Sequence, residues 1–183
     1  MKRISQSLLL AALLLTSCDN VVFDNPQPVD GKSISNLNNA FPGIFISSDN
    51  DTLTITKNTI SLGSGNKFTV TGTLGKNLDV REYSNGFVVN LSESVKGRLV
   101  WIAYLFKLSN DSLFISFSDI NPNKLAEIEK GIANIVPYEN INNENKENSK
   151  IILKPRNSAE FDKLVNAGIF NKTFTMRMER PKP

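Results

Sequence analysis

The residues from Arg98 to Ser109 are apolar on both parities of an extended chain. Leu99, Trp101, Ala103 and Leu105 fall on one side; Val100, Ile102, Tyr104, Phe106 and Leu108 fall on the other. A strand written this way is stable only when both of its faces are covered. The segment therefore demands a sheet that packs a core against one face and sets a helix or a partner against the other.

The surrounding pattern supplies that sheet. From residue 43 to residue 118 the chain alternates with period two and is broken by turn residues, the mark of an antiparallel meander. Thr52-Leu53-Thr54-Ile55-Thr56 places Leu53 and Ile55 on one face, with Ser48-Asp49-Asn50-Asp51 as the turn before it. Asn85-Gly86 reads as a two-residue hairpin turn, since both positions tolerate positive φ. Helical signals follow. Asn121-Pro122 fits a helix start before the stripe Leu125, Ile128 and Ile132. Asn157 or Ser158 can cap a second helix, with Glu160 placed to reach back and Gly168 beyond its end. The fold expected is mainly β: a barrel or barrel-like antiparallel meander of about eight strands, with two short C-terminal helices and added strands.

The amino terminus is of another kind. Lys2-Arg3 precede an unbroken apolar run over residues 8–15, too short for the roughly 20 residues a spanning helix needs. Leu15-Thr16-Ser17-Cys18 then resembles the lipobox of bacterial lipoproteins. The 23 asparagines and Asp19 after the Cys are similar to the Bacteroidetes-type members of that group. The resemblance implies a signal peptide over 1–17, cleavage between Ser17 and Cys18, and lipidation of Cys18. It also implies a cell-envelope location, on the outer membrane rather than the inner. Two or more acyl chains are what stable anchoring requires, at about 0.8 kcal/mol per buried methylene. Residues 18–40, holding Pro26, Pro28 and Gly31, read as the lipidated Cys and a flexible tether, with Val21-Val22-Phe23 packing as an extra strand the alternative. Residues 41–183 read as a single β-rich domain, with 139–150 as a mobile Asn/Glu/Lys-rich loop.

The element order of that domain resembles the lipocalin-like barrels. Phe41-Pro42-Gly43-Ile44-Phe45 stands where that family carries Gly-x-Trp, with Phe45 in place of Trp. The resemblance implies a closed barrel with a lumen; an open sheet or sandwich with the helices on one face is the alternative.

Composition narrows the chemistry. There is no His and a single Cys, which removes His-based triads, His- or multi-Cys-ligated metals and an internal disulfide. The formal charge is +3, and +1 without Lys2 and Arg3, so nothing points to nucleic acid. No nucleophile elbow, phosphate loop or dinucleotide fingerprint occurs. No catalytic residue, metal ligand or cofactor is therefore expected. The partners expected are a membrane, through the anchor, and a small apolar ligand or an envelope protein.

The candidate ligand-lining residues are Trp101 with Leu99, Ala103 and Leu105; a packed core is the alternative. Asp51-Thr52-Leu53 and Asp111-Ser112-Leu113 resemble the Bacteroidetes O-glycosylation motif at Thr52 and Ser112, against plain turn chemistry. The functional reading is a non-catalytic, lipid-anchored binding protein. An accessory subunit of an envelope complex is the alternative, and a carboxylate-dependent hydrolase a remote one.

Overall fold

The structure, a computed structural model, describes residues 21–41, 43–64, 67–120, 125–141 and 150–179. The leader and lipobox expected over residues 1–18 lie outside the described residues, as do Asn121, Pro122 and residues 142–149.

The chain forms β1 (Val21–Phe23), β2 (Gly43–Ser47), β3 (Asp51–Ile55), β4 (Thr59–Ser64), β5 (Lys67–Thr73), β6 (Leu78–Tyr83), β7 (Gly86–Val95), β8 (Arg98–Ser109) and β9 (Ser112–Phe117). Helix α1 (Leu125–Ile132), β10 (Tyr138–Ile141), β11 (Lys150–Leu153), α2 (Ser158–Asn166) and β12 (Lys172–Met178) follow. The fold is mainly β. The twelve strands described belong to one mixed sheet, in place of the barrel-like meander of about eight strands with added ones that was expected.

The doubly apolar strand β8 is the hub. One edge pairs with β7 from Phe87↔Phe106 to Val95↔Arg98. Its other edge is shared: β1 meets it at Trp101, and β9 takes over from Leu105 to Ser109. Beyond β1 the sheet continues through β11 and β10; beyond β9 it continues through β12, β2, β3, β4 and β5. The sheet is not closed. Among the described residues, β5 and β6 form no ladder with each other; the isolated bridge Leu74↔Leu78 lies in the turn between them. The outer edge of β6 is instead capped by the amino-terminal segment. Ile34 N donates to Val80 O at 2.8 Å, and Glu82 N donates to Lys32 O at 2.9 Å. Covering an edge in this way blocks unwanted strand pairing.

That capping corrects the expected tether (residues 18–40) over its described part, residues 21–40. Val21, Val22 and Phe23 are at most 2% exposed, and β1 lies between β8 and β11, running parallel to β11. Gln27 and Leu37 are fully buried. Arg81 Nη1 donates to the carbonyls of Pro28 and Val29 at 2.9 and 2.5 Å. Three apolar residues in a polar stretch look marginal alone, but a strand inserted between two existing edges gains pairing on both sides. The loop expected over 139–150 is likewise corrected at its ends, where Glu139 pairs with Ile152 in β10 and Lys150 opens β11.

Both faces of β8 are covered. Tyr104 and Phe106 join Phe41, Phe45, Leu53, Val89, Leu113 and Met176 in one core. Ala103, with Trp101 and Leu105 at its margin, joins Val21, Phe23, Leu153, Phe161 and Leu164 in a second, the last two on α2. Helix α2 starts as the sequence suggests: the Asn157 side chain accepts from Glu160 N at 3.0 Å, and Gly168 at φ 80° ends it.

The turn chemistry differs at one place. The β6–β7 loop is Ser84-Asn85, with Ser84 at φ 49°, and Gly86 is already in β7. Gly86 is required for another reason: a Cβ there would stand 2.3 Å from the Phe106 carbonyl oxygen. Lys96 and Gly97, both at positive φ, form the two-residue turn between β7 and β8.

Candidate functional site

The first core lines a half-open apolar pocket with about 50 Å³ of interior space. Its walls come from Leu53 and Leu62 on β3 and β4, Val70 on β5, Val89 and Leu91 on β7, Tyr104 and Phe106 on β8, and Phe174 on β12. The period-two pattern is what brings these residues together. Each points inward from its strand while its chain neighbours point out. The space admits a few methylene-sized groups.

Trp101, Leu99, Ala103 and Leu105 are not among the residues lining this cavity. They share the opposite face of β8. Ala103 is buried against the helices, Trp101 and Leu105 pack at the margin of that cluster, and Leu99 is 59% exposed. Periodicity divides β8 correctly into two faces but does not say which one the sheet wraps around. The lining residue Tyr104 lies on the face assigned to the other side.

Thr52 and Ser112 occupy one lateral row of the sheet. Ser112 pairs with Arg177, Arg177 with Ile46, and Ile46 with Thr52. Residues paired in one row point to the same face, here the one opposite the core residues Leu53 and Leu113. Three strand spacings of about 4.8 Å put the two hydroxyl residues roughly 14 Å apart. The acidic residues before them differ. Asp51 is 2% exposed, with neither carboxylate oxygen hydrogen-bonded, while Asp111 is exposed.

Several other carboxylates are tied to cations. Asp79 accepts from Arg81 Nε at 2.8 Å, and Glu93 from Lys150 at 2.5 Å. Glu139 lies between Lys154 at 2.8 Å and Arg98 at 2.7 Å; their hydrogen bonds hold its pKa down to about 2. Glu160 is lowered by Arg156, whose side chain and backbone N–H both bond to it. Asp30 is lowered chiefly by the Ser158 hydroxyl. Tyr83 is raised by burial and by its hydrogen bond to Asp162 at 2.7 Å. Some of these contacts join separate elements, as Glu93 with Lys150 and Tyr83 with Asp162 do, while Asp79–Arg81 and Arg156–Glu160 are local. Among the described residues, no three His, Cys, Asp or Glu side chains gather as a metal-holding group. Among the same residues, no helix is long and apolar enough to cross a membrane.

Comparison of the chain with protein-family models, with curated proteins and with solved structures finds no match.

Proposed function

We propose that this protein is a lipid-anchored envelope lipoprotein, non-catalytic, whose β domain takes up a small apolar ligand in the manner of a lipocalin-like barrel. Cys18 would carry the anchor after cleavage behind Ser17, on the outer membrane. The cavity between β3, β4, β7, β8 and β12 carries the binding half of this reading, because its lining is wholly hydrocarbon apart from Tyr104. A void of this kind gains contacts when an apolar group fills it. At about 50 Å³ it suits a short or branched alkyl end rather than a whole acyl chain or sterol.

The test is native mass spectrometry of the chain from residue 19, purified without detergent from the periplasm of a producing cell. A discrete added mass, lost on denaturation and absent from a Val89→Phe variant that fills the cavity, supports the reading. A bare mass, together with no response of a Tyr104→Trp variant to short-chain fatty acids and alcohols, counts against it. Trp101 itself is a poor reporter, since it packs against the second core and not the cavity.

A second reading is an accessory subunit of an envelope complex. It is favoured by Leu99, 59% exposed on β8, and by Ile44 and Phe114, each 37% exposed. Cross-linking the lipoprotein in its own membrane separates the two.

A further inference from the structure

We infer that the corner of the domain formed by Phe117, Asp119, Asn171 and Lys172 lies against the lipid headgroups of the membrane that holds the Cys18 anchor. The inference rests on the lipoprotein reading above.

The argument starts from chain length. Only Asp19 and Asn20 separate Cys18 from β1. Three Cα steps reach at most about 11 Å. The headgroup layer of one leaflet is roughly 5–8 Å thick. Val21 must therefore sit within that layer or just above it. It cannot be paid out as slack, because Val21 is paired with Ile151 inside the sheet and is 2% exposed.

The register then says which surface follows Val21 to the membrane. Phe23 lies opposite Trp101, so the chain before it runs along β8 toward Leu105. There the same edge is already occupied by β9, with Ser116 opposite Leu105. The start of β1 and the end of β9 thus meet end to end, so Val21 opens its strand at that junction. Phe117, the last residue of β9, pairs with Lys172, the first of β12. Asp119 N donates to Asn171 Oδ1 at 2.8 Å, and Asn171 Nδ2 donates to Asp119 O at 2.8 Å. Lys172 is 57% exposed, with its ammonium 3.8 Å from the Asp119 carboxylate. The corner is cross-braced and presents charges of both signs, Lys172 beside Asp119, which a zwitterionic headgroup layer can accommodate. At the other end of the strands lies the exposed Lys57, past β3, because β12 runs from Lys172 to Met178 beside Phe45, and Phe45 pairs with Leu53.

The chain has a single Cys, so a second one can be labelled alone once Cys18 is a thioether. The test uses the full lipoprotein in phosphatidylcholine vesicles containing a headgroup-nitroxide lipid, with a bimane label on Lys172→Cys or Lys57→Cys. The expected result is several-fold stronger quenching at 172 than at 57. Inserting ten Gly/Ser residues between Asn20 and Val21 should abolish the difference. Equal quenching at the two sites, with the diacylglycerol mass present on Cys18, overturns the apposition and leaves the anchor reading intact. Absence of that mass overturns both.

Discussion

Asn90 grips Gln27 by both ends of its main chain. Gln27 N donates to Asn90 Oδ1 at 2.8 Å, and Asn90 Nδ2 donates to Gln27 O at 2.9 Å, with both residues fully buried. One side chain in the middle of β7 thereby stands in for a strand partner and seats the amino-terminal segment on the sheet. Asn90→Leu keeps the branching of the side chain but leaves the Gln27 N–H and C=O buried and unpaired, at about 1–3 kcal/mol each. The denaturation midpoint should fall accordingly, and backbone amides in residues 24–31 should lose exchange protection before the rest of the domain. Unchanged protection there would show that the grip is not needed.

Strand β1 makes a related prediction. Phe23 is buried against Phe161 and Phe170, with ring centroids 5.9 and 6.5 Å away. Phe23→Ala should cost about 3–5 kcal/mol. A chain begun at residue 41 removes β1 and the β6 edge cap together, and it should bind hydrophobic dyes and lack cooperative unfolding. A flexible tether could be removed without either effect.

Two glycines separate close approach from turn geometry. Gly86→Ala drives a Cβ into the Phe106 carbonyl, a backbone atom that cannot swing away, and should cost about 1–3 kcal/mol or more. Gly97→Ala meets nothing within 4 Å and pays only for φ 78°, about 1–2 kcal/mol. Chemical denaturation of the two variants should rank them in that order.

Acid should loosen the surface ties first. The Glu139 pKa is held at about 2 by Lys154 and Arg98, below its ordinary value of 4.5. A carboxylate depressed by folding contributes its stability above the unfolded pKa and loses it as pH falls through the folded one. The Glu139 contribution is thus complete above about pH 4.5 and is lost toward pH 2. Glu160 and Asp30 shift in the same direction. Glu139→Gln should flatten the slope of stability against pH across that window without abolishing it. An unchanged slope would remove Glu139 from the account.

The paired Asp-Thr/Ser-Leu motifs are not equivalent in the folded domain. Asp51 is buried and Asp111 exposed, so an enzyme acting on the folded protein has access to the acidic residue at Ser112 and not to the one at Thr52. If glycan is added after folding, intact mass should drop with Ser112→Ala and stay constant with Thr52→Ala. A loss in both variants would place the modification before folding, and a bare native mass would dismiss it.

Much of this was legible along the chain. Leu53 and Ile55 face inward as their alternation requires, Asn157 caps α2, and the doubly apolar strand has its helix cover. These features depend on neighbours a few residues apart, so local pattern suffices. The site was less legible. Which face of β8 surrounds a cavity depends on how the sheet bends, and bending is set by strands far away in sequence. Tyr104 and Phe106 line the cavity for that reason, while Trp101 does not.

By itself the sequence determined the β-rich class, most strand positions and the two-faced β8. Alternation, capping and turn preferences are properties of short segments, and they act before any tertiary contact forms. Only the tertiary structure decided that Val21–Phe23 enters the sheet, that Gly86 answers the Phe106 carbonyl rather than a turn, and that β1 and β9 share one edge of β8. Each of those outcomes turns on which unpaired edge or empty space is left when the rest of the chain has packed, and that is a property of the whole fold.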